Sequence, residues 1–440
     1  MLNMGPAHPA MHGIIRLILE LDGEQVVSSE VEIGYLHRAF EKMSEQSSYL
    51  QVIPYTDRLN YSSPLINNAG YAMAVEKLFD LKVPERAQFI RVIMCELSRI
   101  CDHLTCLGAS AMELGAFTVF LYMMKARESL WRNIEMVTGA RLTISYMRPG
   151  GVKADFHPEF ESAIRKSIEE TRKVLKECDA LLTKNRIFVD RLKNIGVISK
   201  ENALAYGITG PFLRSTGIDY DVRKDCPYLV YNRFDFDIPV GTVGDNYDRY
   251  LVRMEEMEQS MRIVEQAFGK MPSGAVAIDM EGKEISAAEM VDEAKMGRTQ
   301  GIQEMTVGAH GRTPLLDPTL EGSTKSYYSD IQSGEKRAAL PAKEDAYGNI
   351  EGLMQHFKLV MMGHGIRPPK GEVYQAVEGG NGELGFYIVS DGSDRPYRVR
   401  VRPPCFPIMA ALPLMINGGM LADIVPTFGS VNMIGGELDR

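Results

Sequence analysis

The sequence predicts a mainly α fold with small β elements (α+β), organised as a helical bundle. Three observations lead there. Apolar residues recur at spacings of three and four over several long windows, the clearest opening at Pro84. An Asp22-Gly23 pair separates two alternating apolar runs, which marks a hairpin. Three short alternating segments, at 372–377, 385–390 and 397–401, form a late strand group. Helices gathered on one core, with strands segregated at its ends, give this layering.

Taken in order, the hairpin strands are expected at 14–21 and 26–33. Helical patterns follow at about 35–49 and 63–80. Pro84 suits a first helical turn, and Phe89, Ile90, Ile93, Leu97, Ile100 and Leu104 carry the apolar stripe of the helix it opens. Further helices are expected over about 116–137, 157–185 and 246–270. Residues 271–345 are rich in Gly, Glu, Lys, Ser and Thr and show no sustained period. They are expected to form a partly ordered surface insertion in a single domain spanning 1–440. Inside it, Ser286-Ala-Ala-Glu289 is a capping box, Ile285 and Met290 stand at staple spacing, and Gly297 offers a helix stop.

A chain of 440 residues with 45% hydrophobic content can bury a sizeable core. Its net charge of −9 argues against nucleic acid, which wants a basic face, and against direct docking on anionic lipid. Met1 to Pro6 lack a basic and then apolar leader pattern, so no signal peptide is expected. Six unpatterned cysteines (95, 101, 106, 178, 226, 405) do not read as a disulfide framework and point to a reducing compartment. The longest apolar tract, 405–425, is interrupted by Pro407, Pro413, Asn417 and Asp423, so no transmembrane segment is expected. Work at a membrane would run through a partner.

Few residues stand out as chemistry by themselves. His8 and His12 are four apart, but Pro9 and the flanking Gly5 and Gly13 rule out helical metal-ligand spacing, and a metal site usually needs a third ligand. A glycine-bounded loop can aim an imidazole into a cleft as readily as it can hold a turn histidine. Tyr61 closes Tyr55-Thr-Asp-Arg-Leu-Asn-Tyr61, where a phenol could donate a proton or simply sit in a loop. Glu113 ends a long apolar helix and is either solvated or paired. Cys95, Cys101 and Cys106 do not share a helix face as ligands and read as core packing, as do His103 and most of the 26 methionines.

In order along the chain, however, the motifs become specific. Met4-Gly-Pro-Ala-His-Pro-Ala-Met-His-Gly13, Ile33-Gly-Tyr-Leu-His-Arg38, Tyr55-Thr-Asp-Arg58, Ala74-Val-Glu-Lys77, Glu96-Leu-Ser-Arg99, Arg148-Pro-Gly-Gly-Val152, Asp221-Val-Arg-Lys224, Gly382-Glu-Leu-Gly385, Val389-Ser-Asp-Gly392 and Pro396-Tyr-Arg-Val-Arg-Val401 resemble the 49-kDa-type (D-type) subunit family of respiratory complex I, the NADH-quinone oxidoreductase. That family is related to [NiFe] hydrogenase large subunits, and the chain's two ends resemble both. Hydrogenases hold their metals with a Cys-x-x-Cys pair near each end. Here no two cysteines are three apart, and bimetallic thiolate ligation needs several sulfurs converging on one point. The resemblance covers roughly 4–270 and 346–440.

It implies a hydrogenase-large-subunit-like bundle that binds no metal itself. It implies reduction of a quinone, ubiquinone or menaquinone, at the interface with the Fe–S protein of the complex (its B subunit), coupled to ion translocation by the membrane arm. His12 and Tyr61 match the family's quinone-headgroup ligands, and Glu113 falls where the family places an acidic partner for the histidine. Arg38 and Arg58 match arginines beside the terminal [4Fe–4S] cluster, which the B subunit ligates. NADH and FMN belong to other subunits. The B, C and I subunits and the membrane-embedded H subunit are the implied partners, on the cytoplasmic side of a bacterial inner membrane. Two departures stand out: Ala39 replaces a common Gly after His-Arg, and Thr143 replaces a cluster-proximal His after Thr138-Gly-Ala-Arg141. A carboxylate near His12 is expected to raise the imidazole pKa. The runner-up reading is a hydrogenase-derived scaffold subunit of a ferredoxin- or F420-linked complex without chemistry of its own. A third, an active [NiFe] hydrogenase, predicts bound nickel.

Overall fold

The computed structural model describes residues 1–278, 284–286, 350, 353, 354, 357 and 365–440. The chain begins with β1 (Leu2–Met4), β2 (Arg16–Asp22) and β3 (Gln25–Glu32), an antiparallel sheet in that order. The hairpin turns at Gly23, whose φ of 63° suits a residue without Cβ. Strand β1 escapes a reading of the sequence because it is three residues long and pairs across the chain, Leu2 opposite Leu19.

Helices α1 (Phe40–Gln46), α2 (Ile53–Thr56), α3 (Pro64–Phe79), α4 (Glu85–Glu113), α5 (Phe117–Thr138), α6 (Phe160–Leu182) and α7 (Arg186–Leu192) follow. Between α5 and α6 lie the two-residue strands β4 (Met147–Arg148) and β5 (Gly151–Val152). Short helices α8 (Lys200–Ala205), α9 (Gly210–Ser215) and α10 (Val222–Asp225) lead to the long α11 (Asn246–Lys270). The expected helix over 35–49 shortens to α1. Gly34 has φ 107° and Ala39 sits at φ 55°, so the backbone before Phe40 is not helical.

Strands β6 (Ala275–Ile278) and β7 (Glu284–Ser286) join β4 and β5 in a four-stranded sheet, in the order β4-β5-β6-β7. All four residues of β6 are buried. The sequence boundary at 271 for a surface insertion therefore falls too early: 275–278 belongs to the folded body. Ser286, read as a helix cap, ends a strand. The helix expected after it, with Glu289, Met290 and Gly297, lies outside the described residues.

The late strands are as expected: β8 (Gly371–Glu378), β9 (Glu383–Ser390) and β10 (Arg398–Arg402), antiparallel with β9 central. The final apolar tract divides into α12 (Cys405–Ile416), α13 (Leu421–Val431) and α14 (Gly435–Leu438).

Helix α4 is the axis of the bundle, packed against α3, α5, α11 and α13. Pro84 precedes it as its N-cap, and the chain leaves it through Gly115 at φ 88°. A second apolar core joins the N-terminal sheet to α12 and α13 through Leu17, Leu19, Ile408, Leu412 and Phe428. This core carries the N-terminal loop onto the end of α4. The architecture is mainly α with small sheets, as the periodicity predicts. No helix among the described residues is long and apolar enough to cross a membrane.

Candidate active site

His12 lies on the loop between β1 and β2, at the end of a single 3-10 turn (Pro9–Met11). Buried Met11 anchors the turn, and His12 leaves it in the left-handed region at φ 55°. Gly5 is required there, because a Cβ would stand 2.2 Å from the Ile15 carbonyl oxygen. The imidazole is half-exposed (48%) and its ring centroid is 6.3 Å from that of Phe428 on α13.

Nε2 of His12 stands 3.8 Å from Oε1 of Glu113, the last residue of α4. The Glu113 side chain is only 10% exposed, so a solvated surface acid is excluded. Its Oε2 is buried without a hydrogen-bond partner and faces Gly429, where a Cβ would come within 2.4 Å. Ser110 Oγ donates to the Gly429 carbonyl (2.8 Å) and latches α4 to α13. Burial pushes the Glu113 carboxyl up to about 7 and lowers the His12 imidazole below its ordinary value. The expectation that Glu113 raises the His12 pKa is overturned. At 3.8 Å without a hydrogen bond, loss of water outweighs attraction for both groups, and the proton near neutral pH rests on Glu113.

Tyr61 lies in the turn between α2 and α3 and is half-exposed (43%). Burial, then the electrostatic influence of nearby Asp102 and Cys405, raises its phenol pKa. The turn is held from below. Asn60 Nδ2 and Ser63 Oγ donate to Asp102 Oδ2 (2.9 and 3.1 Å), and Asn60 Oδ1 accepts from the Ser62 and Ser63 backbone. Asn432, just past α13, donates Nδ2 to Asp102 Oδ1 (3.1 Å).

Arg38 and Arg58 come together, as Arg38 Nη2 donates to the Arg58 carbonyl (2.8 Å) and Arg58 Nη1 to that of Pro54. Burial and then Arg58 lower the Arg38 pKa. The neighbouring Asp57 accepts from Ser145 N (3.1 Å) and Oγ (2.6 Å). That bond ties the exposed loop carrying Thr143, at φ 53°, to the segment of Arg58. Ala39, at the position of the common Gly, adopts φ 55°.

Sequence reasoning missed an ionic cluster at the centre of the bundle. Arg99, Arg214 and Arg223 with Glu96, Asp221, Glu256 and Glu378 are each 2% exposed or less. Arg223 bridges Asp221 (2.7 Å) and Glu96 (3.1 Å), while Arg214 bridges Glu378 (2.9 Å) and Glu256. His103 Nε2 meets Glu256 at 2.7 Å. Four carboxylates face three guanidiniums and the His103 imidazole, and burial followed by Asp221 raises the Glu378 carboxyl above its ordinary value. The available signal was charge at core-facing positions of an apolar helix: Glu96, Arg99, Asp102 and His103 all sit on α4.

All six cysteines are free, and five are buried. Among the described residues no group of three or more His, Cys, Asp or Glu could hold a metal ion. A cavity of about 380 Å³, lined by Gly34, His37, Glu41, Arg398, Phe406 and Arg440, touches none of His12, Tyr61 and Glu113.

A family model described as "Respiratory-chain NADH dehydrogenase, 49 Kd subunit" matches residues 113–312 and 320–440. The chain belongs to this family. The NADH-quinone oxidoreductase D 1 subunit of Sorangium cellulosum is 49% identical over 441 residues, covering all of this chain and 95% of the relative. The D subunit of the Myxococcus xanthus NADH-quinone oxidoreductase is 49% identical over all of this chain and 92% of its own length. The fused C/D subunit of Bdellovibrio bacteriovorus is 46% identical, with 68% of its length covered. The chain is thus a subunit of an NADH-quinone oxidoreductase. The alignments, 439 to 441 residues long, run through 271–345, so these relatives carry a comparable segment.

Proposed function

We propose that this 49-kDa-family chain forms one wall of the quinone-reducing site, with His12 and Tyr61 at the headgroup and Glu113 as the proton store behind His12. The observation that carries the reading is a buried carboxyl with a pKa near 7 lying 3.8 Å from a half-exposed imidazole. Quinone reduction takes up two electrons and two protons. A general acid is most effective when its pKa lies near the working pH. Glu113 can hold a proton there, and His12 presents one at the surface. Tyr61 supplies a second acid of different strength for the other carbonyl. Half-exposure of both His12 and Tyr61 fits a site completed by another protein of the complex.

The electrons would come from the [4Fe–4S] cluster of the B subunit. Arg38, Arg58 and Thr143, joined through Asp57 and Ser145, make the surface that would face it. Contacts with the C, I and H subunits, and attachment to the cytoplasmic face of the inner membrane, complete the reading. Loss of a proton by Glu113 leaves a buried unpaired carboxylate, which is costly and would drive the loops around it to rearrange.

Tyr61→Phe in the intact complex tests the assignment. Quinone reduction should fall by about 10²-fold, while electron transfer from NADH to a soluble acceptor upstream stays intact. A wild-type quinone rate would sink the assignment.

A further inference from the structure

We propose that Asp102 is a positioning residue that fixes the spacing between Tyr61 and the His12–Glu113 pair; this rests on the quinone reading above. Asp102 is fully buried on α4, eleven positions before Glu113. Among the described residues no cation pairs with it. Instead it collects neutral donors from separate segments. Asn60 and Ser63 bracket Tyr61 and both donate to Oδ2. Asn432 donates to Oδ1, directly after the helix whose Phe428 meets His12 and whose Gly429 meets Glu113.

Asn432 is held again by Asn381: Asn432 Nδ2 also donates to Asn381 Oδ1 (2.8 Å), and Asn381 Nδ2 donates to the Asn432 backbone carbonyl (3.0 Å). The turn between β8 and β9 closes over the carboxylate so tightly that a Cβ at Gly380 would stand 2.1 Å from Oδ2. One carboxylate is therefore the shared anchor of the segment carrying Tyr61 and the segment packed on His12 and Glu113. A carboxylate can accept from all three donors at once, and an amide at the same place cannot, because its nitrogen faces donors. A quinone accepting protons at both carbonyls needs the two donors at a fixed distance, and a displacement of about 1 Å can cost about 10²-fold in rate.

The test uses membranes carrying the whole complex, with Asp102→Asn, Tyr61→Phe and the double variant. Asp102→Asn should lower kcat for quinone reduction about tenfold or more, with KM little changed and the upstream NADH-to-acceptor rate intact. Added to Tyr61→Phe, it should cost no more than about twofold, since little remains to be positioned. Ser63→Ala gives a milder version if Asp102→Asn does not assemble: a loss of a few fold, again absorbed in the Tyr61→Phe background. A wild-type rate in both Asp102→Asn and Ser63→Ala, with Tyr61→Phe impaired, overturns the anchor and leaves the quinone assignment standing. Full additivity with Tyr61→Phe overturns it too, since a general packing defect behaves that way. A wild-type rate in Tyr61→Phe removes the quinone reading itself and the anchor with it.

Discussion

Glu113→Gln isolates the proton store. The amide keeps size and shape but cannot titrate. In the wild-type chain the last proton of the pair leaves near pH 7, because burial holds the Glu113 carboxyl at about 7 and pushes His12 below its ordinary 6.5. The two groups stand 3.8 Å apart, so the observed value belongs to the pair. Quinone reduction limited by proton delivery should therefore decline as pH rises through about 7. Without Glu113 only His12 remains, and the limb should move to the acid side by at least about half a unit, the gap between 7 and 6.5. Well above both values each half unit is about a threefold change in the protonated fraction, so the rate at about pH 8 should fall at least about threefold beyond any pH-independent loss. Rates of NADH-driven quinone reduction from about pH 5.5 to 8.5 in both proteins, with an upstream acceptor as control, decide it. A limb unmoved in Glu113→Gln would refute the assignment of the proton to this carboxyl.

The other predictions concern backbone, cluster surface and core. Ala39→Gly should stabilise the complex by about 0.5–1 kcal/mol in thermal unfolding, because φ 55° strains an alanine by about 1–2 kcal/mol and glycine returns part of that gain as chain entropy. If Thr143 faces the partner's cluster, redox titration between about pH 6 and 8 should give a nearly flat potential, and Thr143→His should restore a slope, since an unperturbed imidazole titrates near 6.5 and threonine stays neutral. Arg214→Met should destabilise by about 3–5 kcal/mol and impair assembly, because it strands Glu256 and Glu378 in the core; normal thermal stability would show that the acids hold protons instead.

Long helices were legible because their signal is local. Helices α3, α4, α5, α6 and α11 follow the apolar period, and the late strands their alternation. What stayed hidden was non-local. Two-residue strands at 147–148 and 151–152 acquire meaning only when Ala275–Ile278 pairs beside them. Glu96 and Arg223 bond across 127 positions of sequence. His12 and Glu113 were paired only by resemblance, since they lie far apart along the chain and neither carries a motif of its own. The sign of the His12 shift was misjudged because a sequence names a neighbouring charge but not the water that both groups lose.

The placement of these residues explains why core and chemistry are hard to separate in this protein. Helix α4 carries Glu96, Arg99 and His103 in the ionic cluster, then Asp102 under the Tyr61 turn, then Glu113 beside His12. About five turns of one rigid rod thus link the ionic cluster to the Tyr61 turn and to the Glu113–His12 pair, which support the two proposed proton donors. The segments that position them are held by polar groups of that rod: the Tyr61 turn by buried Asp102, and α13 with the residue after it by half-buried Ser110 and by Asp102. A substitution in the cluster should accordingly reach the quinone site as a change in α4's position, and a substitution at Asp102 should reach it without unfolding the core. That difference is measurable, because the first lowers thermal stability and rate together, while the mild variant Ser63→Ala, which removes one of the bonds to Asp102, lowers the rate by more than its small loss of thermal stability accounts for.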